Sequence, residues 1–280
     1  MLGALALWLA LAGGAALAQS SAMVSLETTE DGKGWEAVGR LDLGTRGFCT
    51  ATLIEPQLVL TAAHCLYDQR LGTPIPIEEF RFLVGQRNGH ASAYRRVSLV
   101  AAHPDYVYAG AASLDPAPYD MALLRLDQPV RLPSVASFAV APAPRRGDRV
   151  GVVSYALERA DAPSLQELCT VLETATPLAV LTCEVDFGAS GAPVFDLSGP
   201  RPRVVAVISA KAMMDEEPVA LAVSVAAALP ILQEALAALM AGMKQVPGVS
   251  TLSGGQAGGG QVPARALRRR GLKAPKSLPI

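Results

Sequence analysis

Three residue types that together perform nucleophilic catalysis are spread along this 280-residue chain. His64 lies in Thr61-Ala62-Ala63-His64-Cys65, at the end of the apolar stretch Leu58-Val59-Leu60. An imidazole is the side chain best suited to taking and returning a proton near neutral pH. Ser190 lies in Gly188-Ala189-Ser190-Gly191-Ala192-Pro193, a glycine-flanked turn. A serine hydroxyl is a useful nucleophile only when a base takes its proton as it attacks. Glycine lets neighbouring backbone amides turn inward and approach a developing oxyanion. Asp120 stands just before Met121-Ala122-Leu123-Leu124-Arg125-Leu126, which reads as a buried strand. A carboxylate entering such a strand needs a partner to offset its desolvation, and a histidine N–H is a suitable one. A solvated aspartate at a strand start is the plainer alternative. The order along the chain is His, Asp, Ser, with separations of 56 and 70 residues.

Short apolar runs cut by turn residues must position these groups. Residues 37–41, 49–54, 57–61, 80–84, 97–101 and 121–126 read as strands, as do 137–140, 150–155, 178–183, 193–196, 204–209 and 220–225. Many short strands at near-regular spacing predict an all-β barrel or sandwich. The Pro- and Ser-rich stretch 128–144 divides them into two groups, with a boundary near residue 135. One helix follows. Pro230 suits a first helical position, and Leu232, Leu236, Leu239 and Met243 recur at helical spacing. The region 218–243 is apolar enough to raise a membrane anchor as an alternative, but Gln233 and Glu234 interrupt it. A strand plus an amphipathic helix docked on the body is the reading adopted.

Charge and cysteines bound the compartment and the partners. The formal net charge of −1 gives no reason to expect nucleic-acid binding. It hides an asymmetry: from Ala241 onward there are seven basic residues and no acidic one. The body, 19–240, holds 17 basic against 25 acidic residues. Residues 1–18 carry no charge and end in Ala16-Leu17-Ala18, a small-x-small site, so they read as a secretory signal peptide, with an uncleaved membrane anchor as the alternative. The expected destination is secreted or periplasmic, with no stable membrane insertion once the signal is removed. Disulfides are then permissible. Cys49, Cys65, Cys169 and Cys183 allow three pairings. Joining the close pairs, Cys49–Cys65 and Cys169–Cys183, would close loops worth about 3 kcal/mol each in the chain-entropy account. With no C-x-x-C spacing and only three histidines, a metal site is not expected. His90 and His103 read as structural or surface residues. Gly254-Gly255, Gly258-Gly259-Gly260 and scattered prolines predict a disordered basic tail over 244–280.

Taken together, Phe48-Cys49-Thr50-Ala51-Thr52-Leu53-Ile54 with Val59–Cys65, then Tyr119-Asp120-Met121-Ala122-Leu123-Leu124, then Gly188–Phe195 resemble the chymotrypsin (trypsin-like) serine peptidase family. The resemblance covers roughly 35–243. It implies two six-stranded antiparallel β-barrels with a C-terminal helix and an active site between them. The first barrel would span 35–134, after an N-terminal segment 19–34, and the second 135–243 with the helix. It implies that His64, Asp120 and Ser190 are catalytic, with the Gly188 and Ser190 amides as oxyanion hole and no cofactor required. Cys49–Cys65 matches the family's disulfide at the histidine loop. Ser209 falls where the family places a serine beside the aspartate, and Glu184 at the floor of the substrate pocket with Lys211 near the opposite wall. Where the digestive members carry an activation aspartate, this chain has Ala189. That departure implies activity after signal removal without further cleavage, as in the bacterial glutamyl-endopeptidase-like branch. The expected function is an exported, monomeric endopeptidase acting on polypeptides. A non-catalytic binding protein on the same fold, or an esterase using the same triad, are the alternatives.

Overall fold

A computed structural model describes residues 20–110, 113–245 and 273. The signal peptide expected at 1–18, and the tail after 245 apart from Lys273, lie outside the described residues.

Strands β2 (Val38–Leu43), β3 (Phe48–Glu55), β4 (Leu58–Thr61), β5 (Phe80–Val84), β6 (Ala93–Ala102) and β7 (Ala122–Leu126) close an antiparallel barrel in the order β2-β3-β4-β7-β6-β5. A second barrel uses β9 (Arg149–Ala156), β10 (Arg159–Ala175), β11 (Leu178–Leu181), β12 (Pro193–Asp196), β13 (Arg203–Met214) and β14 (Glu217–Ser224). Its order is β10-β11-β14-β13-β12-β9, closed by β9 pairing β10. Two short strands are added outside the ring. β1 (Val24–Ser25) pairs β10, and β8 (Ala139–Val140) runs parallel to β13. The predicted strand at 137–140 is therefore a two-residue accessory and no barrel stave.

Closed barrels leave no long unpaired edges, and they bury one face of each strand. Phe80, Phe82, Leu41, Leu53 and Leu60 fill the first barrel, and Val152, Val171, Val194, Ile208 and Ala222 lie in the second. Trp35, Phe138 and Phe195 form an aromatic cluster, with ring centroids 4.7–6.0 Å apart.

The sequence reading misses β10 altogether. This strand curves round the barrel with register shifts near Ser164, Cys169 and Glu173. At each bulge the inside–outside alternation slips. Ala162, Pro163, Ser164, Leu165 and Gln166 are consecutively buried, two of them polar, so the period-two signal is lost.

Helix α1 spans Val225–Gln245 and begins directly out of β14, so Pro230 is its sixth residue and not its first. Val225-Ala226-Ala227-Ala228 contains three of the strongest helix formers, which carry the start back to the strand end. The bond that Pro230 cannot donate would have gone to Ala226, and both residues are exposed, so that carbonyl is not left unpaired inside the core. Val225, Ala228, Leu232 and Leu236 form the buried stripe, packed chiefly on β6, β7 and β13. Val225–Gly242 is long and apolar enough to cross a membrane by length and composition; here one face of it lies against the barrels.

Candidate active site

His64 sits in a short 3-10 turn, Ala63–Leu66, immediately after β4. A disulfide joins Cys65 in that turn to Cys49 in β3, with Cα atoms 6.3 Å apart. The histidine backbone is thereby tied to a barrel strand. A second disulfide joins Cys169 and Cys183 across β10 and the loop after β11. Cys49, His64 and Cys65 bring three possible metal donors together. Both sulfurs are bonded to each other, however, and offer no thiolate.

Asp120 caps another 3-10 turn, Ala117–Tyr119, just before β7. The residue is 4% exposed, and its carboxylate carries three hydrogen bonds. The His64 backbone N–H donates to Oδ1 at 2.8 Å. His64 Nδ1 and the Ser209 hydroxyl both meet Oδ2, at 2.7 and 2.6 Å. An ionised carboxylate only accepts, so Nδ1 carries the proton. Nε2 is then left with its lone pair, the arrangement a general base needs. Burial is the largest influence on the imidazole and opposes its protonation. The charge of Asp120 and its hydrogen bond outweigh that, and hold His64 above its ordinary 6.5. The plainer reading of Asp120, a solvated turn residue, does not describe this carboxylate.

Ser190 lies in the turn between the Cys183 loop and β12, and the carbonyls of residues 186–190 are all engaged. Asp186 O accepts from Ala189 N, and Phe187 O from Leu157 N. Gly188 O accepts the Thr50 hydroxyl at 2.8 Å. Ala189 O accepts from Ala192 N, and Ser190 O from Thr50 N. The amides of Gly188 and Ser190 have no hydrogen-bond partner among the described residues. Consecutive peptide planes clamped by their oxygens toward the barrels turn these two N–H groups away, available to an anion. Gly188 has φ +93° and Gly191 φ +79°, both in the region that favours glycine. Ala189 is fully buried in the second-barrel core. Its turn is held by backbone hydrogen bonds and by the Thr50 hydroxyl.

Sequence reasoning passes over Thr50 and Gly191. Thr50 is fully buried in β3. Besides its two bonds to the Ser190 turn, its hydroxyl accepts Tyr155 N at 3.0 Å, and its carbonyl accepts the Thr61 hydroxyl at 3.0 Å. A β-branched residue in a strand gives no local sign of a bond 138 residues away. Gly191 is pressed against the same strands. A Cβ there would stand 2.3 Å from Thr50 O, 2.2 Å from Thr61 Oγ1 and 2.9 Å from Ala62 N. Gly191→Ala is expected to lower stability by on the order of 3 kcal/mol, combining backbone strain with overpacking. A fall in the urea midpoint at unchanged slope is the readout; an unaltered midpoint would contradict this packing.

Glu184 and Lys211 are both exposed and line one depression, together with Arg159, Asp186, Met214 and Glu217. Glu184 N donates to the buried Gln166 Oε1 at 2.9 Å. Gln166 Nε2 in turn donates to Ser21 O, so one glutamine braces the loop before Ser190 against the N-terminal segment. Of the pocket set, Ser209 alone turns to the Asp120 carboxylate. His103 is buried against Tyr119, and burial lowers its pKa. His90 is exposed.

A family model described as the trypsin-like peptidase domain matches residues 49–207. Among solved structures, one titled as a Glu endopeptidase in complex with MPD is similar with a TM-score of 0.61 at 18% identity, over 77% of this chain and 96% of that one. At that identity the likeness is one of fold.

Proposed function

The chain belongs to the trypsin-like peptidase family, and from that premise we propose that Ser190, His64 and Asp120 act as one catalytic unit of an exported serine endopeptidase. The observation that carries this reading is the Asp120 cluster. A buried carboxylate bonded to both the backbone and the ring of His64 serves to fix one tautomer and one ring orientation. Ser209 satisfies the same oxygen.

The reaction then runs in two halves. Ser190 Oγ attacks the peptide carbonyl carbon while His64 Nε2 takes its proton. The carbonyl oxygen becomes an oxyanion, and the Gly188 and Ser190 amides donate to it. The tetrahedral intermediate collapses, the C–N bond breaks, and His64 returns the proton to the leaving amine. An acyl-enzyme ester remains on Ser190. Water, deprotonated by His64, attacks that ester, and Ser190 leaves with its proton restored. Asp120 holds the ring in place and stabilises the imidazolium. No metal or organic cofactor is needed for any step.

Activity after signal removal without further cleavage follows from Ala189. No ion pair to a newly cut terminus can form there, and hydrogen bonds from the Leu157 amide and from the Thr50 amide and hydroxyl hold the turn instead. The two disulfides support an extracellular or periplasmic destination.

A fluorophosphonate probe tests the reading. Covalent labelling confined to Ser190, found by peptide mass mapping and lost in Ser190→Ala, is the expected result. Folded protein that takes up no label would favour a binding protein on this fold. Labelling with turnover of esters but not of peptides would favour an esterase.

A further inference from the structure

The edge of β13 that faces β12 is paired only part of the way. Ile208 still exchanges both backbone bonds with the nucleophile turn, through Gly191 N and Ala192 O, at 2.8 Å each. Beyond it, among the described residues, the backbone bonds on that side of β13 come from Lys273. Met213 N donates to Lys273 O at 2.8 Å, and Lys273 N donates to Met213 O at 3.0 Å. The bridge is antiparallel. Residues alternate along a strand, so Lys211 presents its N–H and C=O on the same edge, two positions nearer Ser209 and Asp120. This edge flanks the depression lined by Glu184, Asp186 and Lys211.

We propose that the chain's own C-terminal segment, Arg268–Ile280, docks as an added strand on this edge of β13 and competes in cis with the polypeptide substrate. The competition rests on the peptidase reading above; the docking does not. Three observations support it. The first is the two-bond bridge of Lys273, which fixes both register and direction. An antiparallel strand continuing from Lys273 runs past Lys211 toward Ser209. Seven residues follow Lys273, a reach of roughly 23 Å when extended. That is more than the four strand positions from Met213 to Ser209 require.

The second is charge. Asp215, Glu216 and Glu217 are all exposed at the turn joining β13 to β14. Arg268-Arg269-Arg270 precede Lys273 by only three to five residues in the sequence, within reach of that turn for a segment held at Met213. Opposite charges across such a contact favour docking and fix its direction. The third is the mode itself. Strand addition to an open sheet edge takes its affinity from backbone bonds, so it demands little of the side chains beyond the flanking charges.

The test compares the full chain with one ending at Gly271, and adds a fluorescent peptide of Arg268–Ile280. A tether supplies an effective concentration in the millimolar range, so a tail with a Kd near 0.1 mM in trans raises KM roughly tenfold. The expected result is a KM about tenfold lower in the shortened chain at unchanged kcat. The peptide should bind the shortened chain by anisotropy, less tightly as salt rises, and should restore the higher KM. Lys273→Pro in the full chain removes one bridge donor without touching the barrels, and should resemble the truncation. Equal KM values together with no peptide binding would overturn the proposal, as would binding that leaves KM unaltered. Fluorophosphonate labelling of both forms separates the two levels. Label at Ser190 with no effect of the tail sinks the docking alone. Peptide binding without any label sinks the peptidase reading and leaves the docking in place.

Discussion

Ser190→Ala is expected to lower kcat by roughly 10⁶-fold while leaving KM for a peptide substrate nearly unchanged. The substitution removes one oxygen from a half-exposed site whose turn is held by its own carbonyls. Thr50 bonds the carbonyls of Gly188 and Ser190, and neither bond uses the serine side chain. Folding and substrate binding should therefore survive, and the thermal midpoint should move little. His64→Ala should cost about as much. The double variant should be no worse than either single one, because the base has no task without its nucleophile. Steady-state rates on a peptide amide, with active-site titration to exclude wild-type carry-over, decide the matter. A residual rate within tenfold of the parent would rule out Ser190 as the nucleophile.

Asp120→Asn is the second large effect, roughly 10⁴-fold in kcat. The amide can donate where the carboxylate only accepted. His64 is then free to carry its proton on Nε2, where it cannot take one from serine. The pH profile gives an independent reading. In the parent, Asp120 holds the imidazole above 6.5 against burial. The acid limb of kcat/KM should thus fall above that value, and activity should rise as the pH climbs through it. With asparagine the charge is gone and burial remains, so the limb of the residual activity should move below 6.5. The stability linkage has the opposite sign. A raised folded pKa stabilises the fold at low pH, and that contribution is lost as the pH rises through the folded pKa. The parent should lose this increment where it gains activity. An acid limb that stays in place in Asp120→Asn would show that the carboxylate does not set the histidine.

How much of this was legible in the chain depends on whether the signal was local. The first barrel reads well. β3, β4, β5 and β7 are short and largely regular, with turns such as Glu55-Pro56-Gln57 between them. The histidine turn and the serine turn each carry their chemistry within six residues. Asp120 is legible as a carboxylate at the mouth of an apolar strand. β10 is not, because its bulges displace the alternation and its buried stretch includes Ser164 and Gln166. The helix start is not, because Pro230 suggests a first position while Ala226–Ala228 sustain helix ahead of it. Thr50, Gly191 and Gln166 matter through contacts with residues distant in the chain. Nothing near Thr50 or Gln166 in sequence distinguishes them from ordinary barrel residues.

Thr50 also has a bearing on when the molecule becomes dangerous to its maker. Its hydroxyl and amide belong to the first barrel, while the carbonyls they fix belong to the second. A chain with only one barrel formed has a serine but no oriented pair of amides beside it, and the base and its carboxylate sit on the other half. On the proposed mechanism, hydrolytic competence is therefore an all-or-none property of the finished pair. The same bonds that shape the site act as an interlock, keeping a half-folded chain inert.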